Sequence, residues 1–167
     1  MKRENVPSKA NMYMSIARLI SMRSKDPNTQ VGAVIVSPSD RILSVGYNGF
    51  PNGCDDDHFP WDRKNENEYD TKYPYVVHAE LNAILNFRGD NNAFAGSTLY
   101  VTLFPCHECA KAIIQSGISK VVYLSNKYKD TEDYKESCRM LAAANVKTIP
   151  YSSLDECLID IGDSRPI

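Results

Sequence analysis

From residue 98 onward the chain alternates β-rich runs with amphipathic segments, and few folds accept that order. Thr98 to Leu103 reads as a strand, and Pro105 opens a helix that runs through Cys106, Cys109, Ala112 and Ile113 to Gly117. Lys120 to Leu124 is a second strand, Thr131 to Ala144 a helix, and Val146 to Pro150 a third strand. Strands separated by helices in this way belong to a sheet covered on both faces.

The first half supplies the remaining elements. Ser8 to Arg23 carries Tyr13, Ile16, Ala17 and Ile20 at helical spacing, with Ser8 as the cap. Val31 to Val36 and Ile42 to Tyr47, joined by Ser37-Pro38-Ser39-Asp40, form a hairpin. His78 to about Arg88 places Leu81, Ile84, Leu85 and Phe87 on a helix closed by Gly89. The expected fold class is therefore α/β, a mixed five-stranded sheet with helices on both faces. Between Gly46 and Pro74 the chain is rich in Gly, Asn, Asp and Pro and contains the single Trp. Irregular segments longer than about 12–15 residues are usually functional or disordered. We read 49–74 as an ordered functional insertion within one domain spanning 1–167, and 155–167 as a short C-terminal tail.

Charge and cysteine content narrow the partners. Nineteen Lys+Arg against 21 Asp+Glu leave a net charge of −2, so no global positive field points to long nucleic acids or anionic membranes. No run approaches the roughly 18 apolar residues that a membrane span requires. Five cysteines, an odd number, follow an N-terminal stretch (Met1-Lys2-Arg3-Glu4-Asn5) unlike a signal peptide. The expectation is a cytoplasmic chain with free or metal-bound thiols.

Two short motifs carry the chemistry: His78-Ala79-Glu80 and Pro105-Cys106-His107-Glu108-Cys109, each at a predicted helix start. Two Cys at i and i+3 project the same way, and a His from a second helix start makes a third ligand. Three protein ligands leave a fourth position open, which marks a catalytic rather than a structural zinc. Helix N-termini favour the thiolates that zinc requires. Zinc lowers the pKa of bound water toward about 7, and Glu80 is the carboxylate placed to shuttle its proton. A Cys-x-x-Cys at a helix start also suits a thiol redox pair, and it is the upstream His-x-Glu that favours zinc. His107 and Glu108 lie between the ligands and need not touch the metal; they read as a pair that is either solvated or supports the ligands from behind. Cys138 and Cys157 read as buried apolar residues, and Cys54 with His58 is the only other possible metal pair.

His-x-Glu followed by Pro-Cys-x-x-Cys resembles the signature of the zinc-dependent cytidine and deoxycytidylate deaminase superfamily. The resemblance extends through Arg23-Ser24-Lys25-Asp26-Pro27, Gln30-Val31-Gly32-Ala33, Gly46 to Cys54 ahead of Asp56-Asp57, and Asp70 to Tyr75, and covers roughly residues 10 to 150. The insertion motif from Gly46 to Asp57 resembles the deoxycytidylate branch in particular. The resemblance implies a three-layer α/β/α deaminase fold and hydrolysis of dCMP to dUMP and ammonia, feeding dTMP synthesis. It implies zinc on His78, Cys106 and Cys109, with Glu80 as the catalytic proton carrier. Asn48 would contact the sugar, the backbone at Ala79 and Phe104 the pyrimidine edge, and Tyr128 would line the pocket. Arg23, Ser24 and Lys25 are the nearest motif residues for the monophosphate. The family is commonly a homohexamer, activated by dCTP with Mg²⁺ and inhibited by dTTP. Gly49, Asn52, Gly53, Asp56 and Asp57 would form that regulatory site, freed backbone amides meeting phosphate and carboxylates the cation. Asp55 departs from the small neutral residue familiar at its position.

Overall fold

The computed structural model describes residues 1–154 and 159. Helix α1 (Lys9–Ser21) begins where the Ser8 hydroxyl accepts the Asn11 N–H at 3.0 Å, the capping bond expected of Ser at this position. Strands β1 (Gly32–Val36) and β2 (Ile42–Tyr47) pair antiparallel from Gly32↔Tyr47 to Val36↔Ile42. The turn between them puts Asp40 at φ 61°, a left-handed conformation that Asp tolerates better than most residues. Strand β3 (Thr98–Leu103) lies antiparallel to the other side of β1, and β4 (Lys120–Ser125) and β5 (Lys147–Pro150) continue in parallel. The order β2-β1-β3-β4-β5 makes the mixed five-stranded sheet that was expected.

Strand periodicity divides the core. Along β1, Ala33 and Ile35 enter one apolar cluster and Val34 and Val36 the other, as alternating side chains must. The first cluster receives Ala79 and Ala83 of α2 (Ala79–Asn86), Ala110 and Ile113 of α3 (His107–Gln115) and Leu141 of α4 (Glu132–Ala143). The second receives Tyr13, Met14 and Ala17 of α1. Three helices therefore cover one face of the sheet and α1 the other.

Two boundaries differ from the sequence-based expectation, each for a local physical reason. Helix α2 stops at Asn86, because Phe87 turns extended and sets its ring 4.7 Å from that of Phe94; Gly89 plays no part in the cap. Its buried face consists of Ala79, Glu80 and Ala83, while Leu85 is exposed. Small residues are needed there because the helix lies against Gly46, where an added Cβ would stand 2.4 Å from the Ala79 carbonyl oxygen. Pro105 is not the first residue of α3. The helix starts at His107, and Cys106 takes the capping position with its sulfur accepting the Cys109 N–H at 3.4 Å. The C-terminal tail lies outside the described residues except for Ile159, whose N–H donates to Ser15 Oγ at 3.4 Å; Cys157 also lies outside them. Among the described residues no helix is long and apolar enough to cross a membrane.

Gly32 does for α1 what Gly46 does for α2. A Cβ on Gly32 would meet the Ala17 carbonyl oxygen at 1.9 Å and the Ser21 nitrogen at 2.6 Å, both backbone atoms that cannot step aside. Gly32→Ala is expected to lower the unfolding free energy by about 3 kcal/mol in a denaturant titration. Gly49→Ala, whose nearest neighbour is a Tyr47 ring atom at 3.8 Å, should cost less than about 1 kcal/mol. Equal midpoints for the two variants would show that α1 is not seated on β1.

Candidate active site

Both motif helices start at the same place. His78 is the N-cap of α2 and Cys106 that of α3, each with extended backbone (φ −71°, ψ 157° and φ −70°, ψ 170°). An N-cap side chain leans across the start of its helix instead of along its flank. His78 Nδ1 thereby comes within 3.3 Å of Cys106 Sγ and 3.5 Å of Cys109 Sγ. In a tetrahedral zinc site, bonds of about 2.0–2.1 Å to nitrogen and 2.3 Å to sulfur separate N from S by about 3.5 Å. The donor set therefore fits zinc in both chemistry and spacing. Among the described residues, His78, Cys106 and Cys109 form the group of three such donors with all ligand atoms within 4.8 Å of one another. His58 instead pairs with Asp55 at 3.1 Å, so Cys54 and His58 gather no third donor.

Glu80 sits in the first turn of α2, only 4% exposed. Because His78 is the cap and not a helical residue, the two-residue offset does not throw the carboxylate to the far side. Burial pushes the Glu80 carboxyl up to about 7, against the opposing pull of His78. Hydrogen bonds from Cys109 and His78 hold Cys106 down to about 4, and the bond to Cys106 carries His78 up to about 9. Cys109, bonded to Cys106 and buried, goes up. Cys106 and His78 thus favour one another's charged forms.

The family model described as the cytidine and deoxycytidylate deaminase zinc-binding region matches residues 7–125. The deoxycytidylate deaminase of Homo sapiens is 47% identical over 168 residues, covering 99% of this chain and 93% of its own. That of Mus musculus is 53% identical over 169 residues with the same coverage. The chain belongs to the cytidine and deoxycytidylate deaminase family. Among solved structures, the dCMP deaminase of cyanophage S-TIM5 in complex with dCMP and dUMP is similar at 30% identity and a TM-score of 0.68, covering 88% of this chain and 99% of that one. The three-layer arrangement is thus the deaminase fold, and the His-Cys-Cys set lies within the stretch matched by the zinc-binding family model.

The deaminase site opens into a cavity of about 470 Å³ whose wall includes His78, Ala79, Glu80, Phe104 and Cys106. Asn48 and Tyr128 line it as well. Asn48 is 5% exposed and largely committed: its Oδ1 accepts the Val31 N–H at 2.7 Å and its Nδ2 donates to the Thr29 carbonyl at 2.9 Å. An amide oxygen has two lone pairs, so one acceptor position remains. Beside it Lys72, 7% exposed, is ion-paired with the buried Asp26, and both reach the cavity wall. Arg63 lines the wall too, with its Nε donating to the Tyr73 hydroxyl at 3.3 Å.

The monophosphate candidates read from the sequence lie elsewhere. Arg23 is exposed and off the cavity wall. Ser24 is buried behind it, donating to the Asn48 carbonyl at 2.8 Å. Lys25 pairs with Asp56 at 2.5 Å, so one expected substrate residue meets one expected regulatory residue. The physical reason is partner choice: a Lys–Asp contact 31 positions apart in sequence leaves no local signal. Lys72 on the wall was missed because burial of a cation cannot be read from a mixed-charge stretch, and the exposed Arg63 because its place at the cavity rests on the fold of the whole insertion. Lys72, adjacent to Tyr73-Pro74 in a motif already singled out, was the findable one.

The insertion connects to the His-Cys-Cys set through its first residue. Gly49 and Val77 exchange backbone hydrogen bonds of 3.1 and 2.9 Å, directly before His78. Gly53 takes φ 90° in an exposed turn with Asn52, and the Asp57 N–H donates to Asp55 Oδ1 at 2.9 Å. Of the two readings of His107, solvated or supporting, its contacts favour the second: its backbone N–H donates to Asp133 Oδ1 at 3.1 Å and its ring also contacts Asp133. Cys138 is half-buried against the main core, close to the expected apolar role.

Proposed function

We propose that the chain hydrolyses dCMP to dUMP and ammonia and so supplies the precursor of dTMP. The observation that carries this reading is Glu80, a carboxyl buried on the cavity wall beside the His-Cys-Cys set and raised to about 7, where it can both accept and return a proton near neutrality. A zinc ion held by His78, Cys106 and Cys109 supplies, when bound, the Lewis acidity that activates water at neutral pH. Glu80 takes the proton of the attacking water and delivers it to ring N3. It then carries the second water proton to the leaving amino group. A C4–O bond forms, the C4–N4 bond breaks, and Glu80 returns to its starting state.

The rest of the substrate falls to residues already on the wall. The spare acceptor of Asn48 suits a sugar hydroxyl, the backbone at Ala79 and Phe104 the pyrimidine edge, and Tyr128 an aromatic side wall. Lys72 is neutralised by Asp26, so Arg63 is the cation assigned to the monophosphate. The regulatory reading places dCTP with Mg²⁺, or dTTP, at Gly49, Asn52, Gly53, Asp56 and Asp57. It is supported by the Gly49–Val77 pairing, which reaches the residue before His78. Assembly as a homohexamer and a cytoplasmic location complete the proposal, with residues 1–167 acting as one deaminase domain and 49–74 as its regulatory insertion.

Glu80→Gln should retain zinc by elemental analysis and lose turnover of dCMP, followed by ultraviolet absorbance, by about 10²- to 10⁴-fold; full activity with zinc in place would end the proton-carrier role. Arg63→Ala should raise the KM for dCMP about tenfold or more with little change in kcat, and an unchanged KM would move the phosphate elsewhere. In saturation curves, dCTP with Mg²⁺ should turn a sigmoid response hyperbolic and dTTP should shift it to higher dCMP. Kinetics indifferent to both nucleotides would remove the regulatory reading while leaving the chemistry intact.

A further inference from the structure

The matched family region ends at residue 125, before α4 begins at Glu132, yet α4 touches the metal loop at three consecutive points. The Ser137 hydroxyl, on a residue with no exposed surface, donates to the Pro105 carbonyl at 2.8 Å. Asp133 Oδ1 accepts the His107 N–H at 3.1 Å. The Tyr134 ring lies 4.4 Å from that of Phe104. Positions 133, 134 and 137 share one side of a helix, since i and i+4 are stacked neighbours and i+1 is a 100° step away.

The two hydrogen bonds have a specific geometry. The Pro105 carbonyl belongs to the peptide group that precedes Cys106, and the His107 N–H to the peptide group that follows it. Fixing both peptide planes fixes the Cys106 backbone, and with it the direction of Cα–Cβ and of the sulfur. Within α3 only the second plane has a partner of its own, the Ala110 N–H donating to the Cys106 carbonyl at 2.9 Å; Pro105 has no N–H to offer, and the bond from Cys109 to the Cys106 sulfur, at 3.4 Å, is long. On the sheet side the Phe104 N–H donates to the Ser125 carbonyl at 2.8 Å, closing the loop against β4.

We propose that α4 is the positioning element of the zinc site, with Asp133 and Ser137 pinning the two peptide groups that flank Cys106. Ser137 has no exposed surface, and Asp133 reaches the cavity wall beside His107; in this proposal both act through the direction of the Cys106 sulfur. This rests on His78, Cys106 and Cys109 being the zinc set, which the zinc content of the unsubstituted protein tests separately. Partners that orient metal ligands typically change metal affinity about 10- to 100-fold when removed.

The experiment uses the full-length protein and measures zinc release to a competing chelator of known affinity, together with the thiolate-to-cobalt absorption of the Co²⁺-substituted form. Ser137→Ala and Asp133→Ala should each weaken zinc retention about 10- to 100-fold and shift the cobalt band. Asp133→Asn, whose amide oxygen still accepts the His107 N–H, should recover most of both. Lys135→Ala, on an exposed position of the same helix, should match the unsubstituted protein. If the alanine variants are indistinguishable from Lys135→Ala in both readouts while the protein holds zinc, the positioning role is overturned. An unsubstituted protein that binds no zinc overturns the metal reading and this one with it.

Discussion

Everything at the site depends on two helices beginning at one point. A residue within a helix sends its side chain along the cylinder, and donors from two neighbouring helices would then meet only along their flanks. His78 and Cys106 are instead caps with extended backbone, so their side chains cross the gap between helix starts. The positive ends of α2 and α3 converge on the same space, which favours thiolate and carboxylate. Sheet order provides the meeting point. Antiparallel pairing sets the start of β1 beside the end of β3, from which the chain enters α3, while α2 is seated by the close approach of Ala79 and Ala83 to Gly46 on β2. Sites in α/β folds gather at the carboxyl ends of parallel strands for related reasons.

The irregular segment from Gly49 to Pro74 owes its order to side chains. Phe50 packs 4.1 Å from Trp61 and 5.5 Å from Phe59, and Phe59 lies 5.1 Å from Tyr75. Such ring pairs contribute about 0.5–1.5 kcal/mol each beyond area burial, enough together to hold a stretch without strands. Its far end is secured by Lys72 on Asp26, where removing either partner would leave an unpaired buried charge at a cost of about 3–5 kcal/mol. Asp26 also accepts the Asn28 N–H at 2.8 Å and contacts Asn48 Nδ2 at 3.4 Å. One carboxylate thus ties the loop after α1, the end of β2 and the end of the insertion into a single cavity wall.

What could be read in advance follows from range. The strands were legible because β-branched residues at period two bury on both faces, and β2 falls on Ile42–Tyr47 as read. Ser8 and Thr131 were legible as helix starts because capping is a contact across three residues. The zinc set was legible because each half is local and only their meeting is not. Pro105 misled because Pro favours the first helical position, yet a thiol here does the work of a capping hydroxyl and moves the start by two residues. Phe87 left its helix for Phe94, and Lys25 left the expected phosphate for Asp56; both are contacts between residues whose local sequence is silent about the partner.

The charge arrangement of the cavity extends the same argument. Under the proposed assignment two thiolates would balance a divalent zinc ion, and Asp26 balances Lys72, so those groups add little net field. Asp133 on the same wall contacts His107, and Glu108 meets Lys111, which among the described residues leaves Glu80 and Arg63 without an opposite-charge side chain, and burial pushes the Glu80 carboxyl up to about 7. Under the proposed assignment the wall therefore offers one cationic place and one proton-exchanging place, separated by neutral polar and aromatic surface. That pattern suits a ligand with an anionic tail and an uncharged heteroaromatic head, and it disfavours a long polyanion, which would require many cations along its path. The net charge of −2 agrees with selection by a single well-placed guanidinium over attraction by the protein as a whole.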